Sequence, residues 1–144
     1  MTKEEFEKVI QGAVDGEREG REFYLASAES AQSQHVREVL LELAREETEH
    51  ERKLLSLDLE EIRNSEIADV PNMKITDYLE HIEFHPGMEI GDVLMIAAKR
   101  EDRAFKLYEN LAATCQNPEA KKLFNISLPK RKIINWTWKK NTKN

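Results

Sequence analysis

A single cysteine, Cys115, leaves the chain without an internal disulfide or a Cys-x-x-Cys metal site, so a packed core has to hold the fold and a reducing compartment, the cytoplasm, is the expected location. Glycine and proline are scarce, at 5 and 4 residues, which argues against an all-β domain built from many tight turns. No apolar run approaches the roughly 20 residues of a membrane span, and Met1-Thr2-Lys3-Glu4-Glu5-Phe6 does not read as an export signal. A soluble protein without a membrane partner is expected. An excess of positive charge is also missing: the net charge is −6, which argues against nucleic acid as a general partner.

Charged residues make up 35% of the 144-residue chain, and Leu, Ala, Glu and Lys dominate, a composition suited to one helical domain. Thr2 followed by Glu5 reads as a capping box, and Phe6, Ile10, Ala13, Glu17, Gly20, Tyr24, Ser27 and Ala31 mark one face of a helix to about Ser30. After the polar Gln32-Ser33-Gln34, a second helix is predicted from about His35 to Asn64. Residues 65–91 contain Pro71, Pro86 and Gly87 and read as a long crossover with one short helix near Ile75 to Phe84. Asp92 opens a third helix, with Leu94, Ala97, Glu101, Ala104, Tyr108 and Leu111 on one stripe, ending near Thr114. Asn117-Pro118-Glu119 starts a fourth, with Asn as cap and Pro at the first helical position. The expectation is an all-α four-helix bundle over residues 1–128, followed by an atypical tail over 129–144.

Within the second helix, Glu47 and His50 stand three residues apart and fill a gap in the apolar stripe of Val36, Leu40, Leu43, Leu54 and Leu57. Positions i and i+3 share a helix face about 5–6 Å apart, so such a pair can close on one metal ion. A buried carboxylate needs neutralising, either by a cation from another helix or by a metal. The plainer alternatives are a buried ion pair or a solvated helix face for Glu47 and His50, with Arg45, Arg52 and Lys53 close by, an i,i+4 pair of Glu17 with Arg21, and a surface acid at Glu101 beside Arg100 and Arg103. None of these explains why the acids lie on apolar stripes. His81 and His85 are four apart, but they fall in the crossover and read as linker residues. Cys115 falls in a turn and reads as an ordinary thiol.

Helices one and three repeat a design, because Glu17 precedes Tyr24 by seven residues and Glu101 precedes Tyr108 by seven. The first hairpin places a Glu 30 residues and a His 33 residues after Glu17. Its repeat requires Glu and His at 131 and 134, where Arg131 and Ile134 stand. The character of the chain changes there: residues 129–144 carry both tryptophans, six basic residues and no acid, and Pro129 cuts short or frays the fourth helix after Leu128. Reading the codons from Asn125 onward two bases later permits Tyr-Leu-Ala-Ala-Glu-Glu-Glu-Asp-His, with Glu and His at the two expected positions. The tail is therefore read as a frameshift product.

Glu17 through Tyr24, Leu43 through His50, and Glu101 with Tyr108 through Leu111 together resemble the rubrerythrin-like branch of the ferritin-like superfamily, over roughly Val9 to Ser127. In that architecture one Glu from each of two helices and a Glu-x-x-His from each of the other two hold two metal ions. The resemblance implies a ferritin-like bundle with Glu17, Glu47, His50 and Glu101 as metal ligands, Glu47 bridging, and Tyr24 and Tyr108 as supporting partners. No catalytic residue is assigned. It also implies a di-iron oxidoreductase, with peroxide reduction as its reaction. The family holds two irons, with Mn or Zn as substitutes; here three carboxylates and one imidazole fit one ion better than two. The family often appends a rubredoxin-type domain, so a separate electron donor of that type is the expected partner, with a second copy of the chain forming a homodimer. The alternative is a non-catalytic bundle or an iron-binding or storage module. The coding DNA around codons 124 to 135 tests the frameshift: it is expected to stay open in the alternative frame past the His codon, and a stop codon before it excludes the idea.

Overall fold

The computed structural model describes residues 2–63 and 88–126. Five helices follow one another there: α1 Lys3–Ser30, α2 Gln34–Leu55, the short α3 Leu59–Arg63, α4 Ile90–Thr114 and α5 Pro118–Ile126. No strand occurs among the described residues, and the fold is the all-α, ferritin-like bundle that the stripes imply. The expected helix near Ile75 to Phe84, His81, His85 and everything from Ser127 on, including Arg131, Ile134 and the tail, lie outside the described residues.

Local sequence sets the helix ends. The Thr2 hydroxyl accepts from the Glu5 N–H at 3.1 Å and the Glu5 carboxylate accepts from the Thr2 N–H at 3.2 Å, a reciprocal cap on α1. α1 ends at Ala31 and α2 begins after the cap residue Ser33, so the two helices form a tight antiparallel hairpin. Arg37 locks it, donating from Nε to the Ala28 carbonyl at 3.3 Å, which also accepts from the Ala31 N–H, and from Nη2 to the Ala31 carbonyl at 2.9 Å. Farther along, Glu51 of α2 receives Arg21 at 2.9 Å and Arg18 at 3.4 Å. Asn117 Oδ1 accepts from the Ala120 N–H at 3.0 Å and starts α5, with Pro118 first in the helix.

The second helix does not run to Asn64. It stops at Leu55 because Ser56 turns its hydroxyl onto the Lys53 carbonyl at 2.6 Å, and Asp58 then accepts from the N–H groups of Glu60 and Glu61 at 3.1 and 3.2 Å to start α3. Apolar periodicity passes through this break, since Leu57 and Leu59 still pack against the core. α4 begins at Ile90, two residues before Asp92, with Glu89 at its cap.

The core has two halves. One holds Phe6, Val9, Ile10 and Val14 of α1 with Leu54, Leu107, Leu111, Ala120 and Phe124; the other holds Phe23, Tyr24 and Ala28 with Val36, Leu40, Leu43, Val93 and Ala97. On each of α1, α2 and α4 the residues between the halves are polar: Glu17, then Glu47 and His50, then Glu101. Leu111 is fully enclosed, whereas Leu55 is 58% exposed. Leu111→Ala is expected to lower the unfolding free energy by about 2–5 kcal/mol, and Leu55→Ala by less than about 0.5 kcal/mol, in a denaturant titration of both variants.

Candidate metal centre

Glu17 of α1 and the Glu47 and His50 pair of α2 each offer one ligand atom, and these atoms all lie within 4.8 Å of one another. That spacing is close to the span of two ligand bonds of roughly 2.1 Å each, so a modest side-chain adjustment closes the group on one ion. The helix hairpin creates the meeting. Glu17 is 33 residues from His50, yet His50 Nδ1 lies 3.4 Å from Glu17 Oε2. That oxygen is buried and has no hydrogen-bond partner, which is the condition of a ligand atom awaiting a cation. The other oxygen, Oε1, accepts from the Tyr108 hydroxyl, and Tyr108 is stacked on Phe124 of α5 with ring centroids 6.4 Å apart. The fourth helix thus fixes Glu17 through an aromatic prop.

Glu101 of α4 is buried at 7% exposure and lines the same cavity of about 270 Å³, together with Glu17, Glu47, His50, Arg100 and Tyr108. It stands outside the tight group of three. Tyr24 is enclosed beside the cluster, and burial, reinforced by the negative charge of Glu47 and Glu101, pushes its hydroxyl well above the usual phenol range. Tyr108 is pushed up in the same way, first by burial and then by Glu17, so both phenols stay protonated.

The two nearest carboxyls are driven apart. Burial, then the charge of Glu17, pushes Glu47 well above the ordinary carboxylate range. Burial also acts upward on Glu17, but the adjacent Glu47 carboxyl, the His50 imidazole and the Tyr108 hydroxyl outweigh it and hold that carboxyl low. Without metal, burial and the nearby negative charge thus favour the protonated form of Glu47 and the ionised form of Glu17. Part of Glu47 still faces the cavity, although protein atoms surround its carboxyl.

For Glu17 and Glu47, the plainer pairings with Arg21 and Arg52 are not those the chain adopts. Arg21 binds Glu51 rather than Glu17, and Arg52 binds Glu49 on the exposed side of α2. The residue that sequence reasoning left on the surface is Arg100, which reaches inward and donates from Nη2 to the Gly16 carbonyl at 2.7 Å. Gly20 makes room for it, since a Cβ there would lie 2.9 Å from Arg100 Nη2 and 3.0 Å from Glu47 Oε2. A glycine on the buried face of a long helix, opposite an arginine beside a candidate ligand, was the available signal.

The sequence pattern that defines the rubrerythrin family matches residues 8–128. This chain belongs to that family. No curated protein and no solved structure matches it. Rubrerythrins bind iron, and the donors of this member fit that group: carboxylate oxygens and an imidazole nitrogen suit a divalent first-row metal, and the orphaned Glu17 Oε2 lies among them.

A cation at this site would favour the ionised form of Glu47, the form that burial disfavours. A carboxyl raised in the folded protein stabilises the apo fold below the ordinary pKa of 4.5 and loses that contribution as pH rises through its raised value. Glu17, held low, acts oppositely: its contribution is present above 4.5 and disappears as pH falls through its lowered value. Metal affinity is therefore expected to rise with pH from 4.5 through the raised value of Glu47, with proton release on binding. Calorimetric titration of apo protein with Mn(II) in buffers of different ionisation enthalpy measures that release, and heats independent of the buffer contradict the assignment.

Proposed function

We propose that this chain is a metal-dependent oxidoreductase of the rubrerythrin type that acts on peroxide, with one divalent ion, iron in the first instance, held by Glu17, Glu47 and His50. The observation that carries this reading is the buried group itself: two carboxylates and an imidazole from two helices, with an oxygen left open among them. Bound iron would supply one-electron redox chemistry and Lewis acidity. The protein's own contribution is to hold and position. His50 and Glu17 face each other across the hairpin, Tyr108 fixes one oxygen of Glu17, and Glu47 carries the proton that leaves when a cation arrives and is positioned to take up one again. Glu101 also lines the cavity and offers a third carboxyl without joining the tight group.

The cavity has room for a small substrate beside the ion, and its walls carry Arg100 and Arg103 as well as the acids. A separate electron donor of the rubredoxin type is part of this reading, the bundle itself carrying no Cys-x-x-Cys pair. A homodimer remains part of this reading, with Leu25, Ile90 and Met95 among the exposed apolar side chains available for it.

A second reading, an iron-binding bundle without turnover, is favoured by one observation. Only one Glu-x-x-His is found where the helical repeat calls for two, because Arg131 and Ile134 occupy the other positions. Metal analysis combined with a reductant-dependent peroxide-consumption assay separates the two. The enzymatic reading expects about one iron per chain with turnover, and Glu47→Gln is expected to lower both metal content and rate by at least about tenfold. Iron without turnover supports the binding module. Unchanged metal content in the Glu47→Gln protein refutes both.

A further inference from the structure

Arg100 comes from α4, yet its guanidinium lies against the middle of α1 rather than in solvent. Backbone carbonyls inside a helix are already engaged by the i+4 N–H, so the bond to Gly16 at 2.7 Å is an additional contact, made possible by an approach that side chains ordinarily block. Gly20 removes that block. The point its Cβ would occupy is 2.9 Å from Arg100 Nη2 and 3.0 Å from Glu47 Oε2, so cation and carboxyl flank the same gap. Glycine inside a helix is destabilising relative to alanine, and here it admits a positive charge to the carboxylate cavity.

We propose that Arg100 is a built-in counter-cation of the carboxylate cluster, seated in the gap at Gly20, that limits the site to a single divalent ion. Glu17, Glu47 and Glu101 carry three negative charges when ionised, and Arg100 offsets one of them. Two remain, which one divalent ion neutralises. A second ion would meet the guanidinium at the Glu47 side of the cavity, where His50 is the only imidazole among the described lining residues. This role rests on the metal-site reading above but makes a separate claim, that a side chain of the protein occupies the charge position of the second ion.

The test compares Arg100→Gln and Arg100→Lys with the unmodified full-length chain, using Mn(II) binding by calorimetry and thermal unfolding of metal-free protein. Removing the charge is expected to tighten the first Mn(II) by about tenfold and to make a second, weaker Mn(II) detectable. It is also expected to lower the unfolding temperature of the metal-free protein, with Mn(II) restoring it. Arg100→Lys, which keeps the charge, is expected to retain the unmodified stoichiometry. Unchanged or weaker Mn(II) binding in Arg100→Gln overturns the proposal, because it makes Arg100 either a bystander or an organiser of the ligands. If the unmodified chain takes up no Mn(II), the metal-site reading fails. The metal-free unfolding then decides the counter-cation role alone: a loss in Arg100→Gln but not in Arg100→Lys supports it, and equal unfolding temperatures overturn it.

Discussion

Carboxylates placed in the middle of a helical bundle have to be neutralised, and the rest of this structure follows from how that is done. Glu17, Glu47 and Glu101 sit in a layer between two apolar half-cores, where an unpaired charge costs several kcal/mol. Three devices meet the cost in the metal-free protein. Glu47 keeps a proton, Tyr108 donates to Glu17, and Arg100 enters beside Gly20. Each is also a feature that a bound cation would use or displace.

The fold places these devices with few parts. Caps at Thr2 and Ser33 fix where α1 and α2 begin, and the hairpin between them, locked by Arg37, sets which turn of α2 faces which turn of α1. That register brings Glu17 opposite Glu47 and His50. α5 matters to the site only indirectly, through Phe124 against Tyr108 and Tyr108 on Glu17. A site supported in this way has ligands held before any ion binds, which reduces the ordering a metal must otherwise impose.

The charge pattern bears on the family's chemistry. In the general architecture, two Glu-x-x-His pairs and two further acids hold two ions. The described part of this member brings together one pair and one acid, with a second acid on the cavity wall and an arginine where that architecture has only acids and imidazoles. A cation supplied by the protein beside these carboxylates lowers the charge left for a cation from solution.

Much was written in the sequence alone. The capping box at Thr2, the Asn117-Pro118 helix start, the ends of α1 and α4 near Ser30 and Thr114, and the acids lying on apolar stripes are all local or periodic signals, because helix geometry converts spacing into position. The break at Ser56 was not legible in the same way, since the apolar period continues through Leu57 and Leu59 while side-chain hydrogen bonds end the helix. Nor was the role of Arg100. Its neighbours in sequence placed it beside Glu101 on a surface, and only the packing of α4 against α1, with a missing side chain at Gly20, turned it inward. Spacing along one helix determined which residues could act together, whereas the partner of each buried charge depended on distances between helices, which no single stretch of sequence contains.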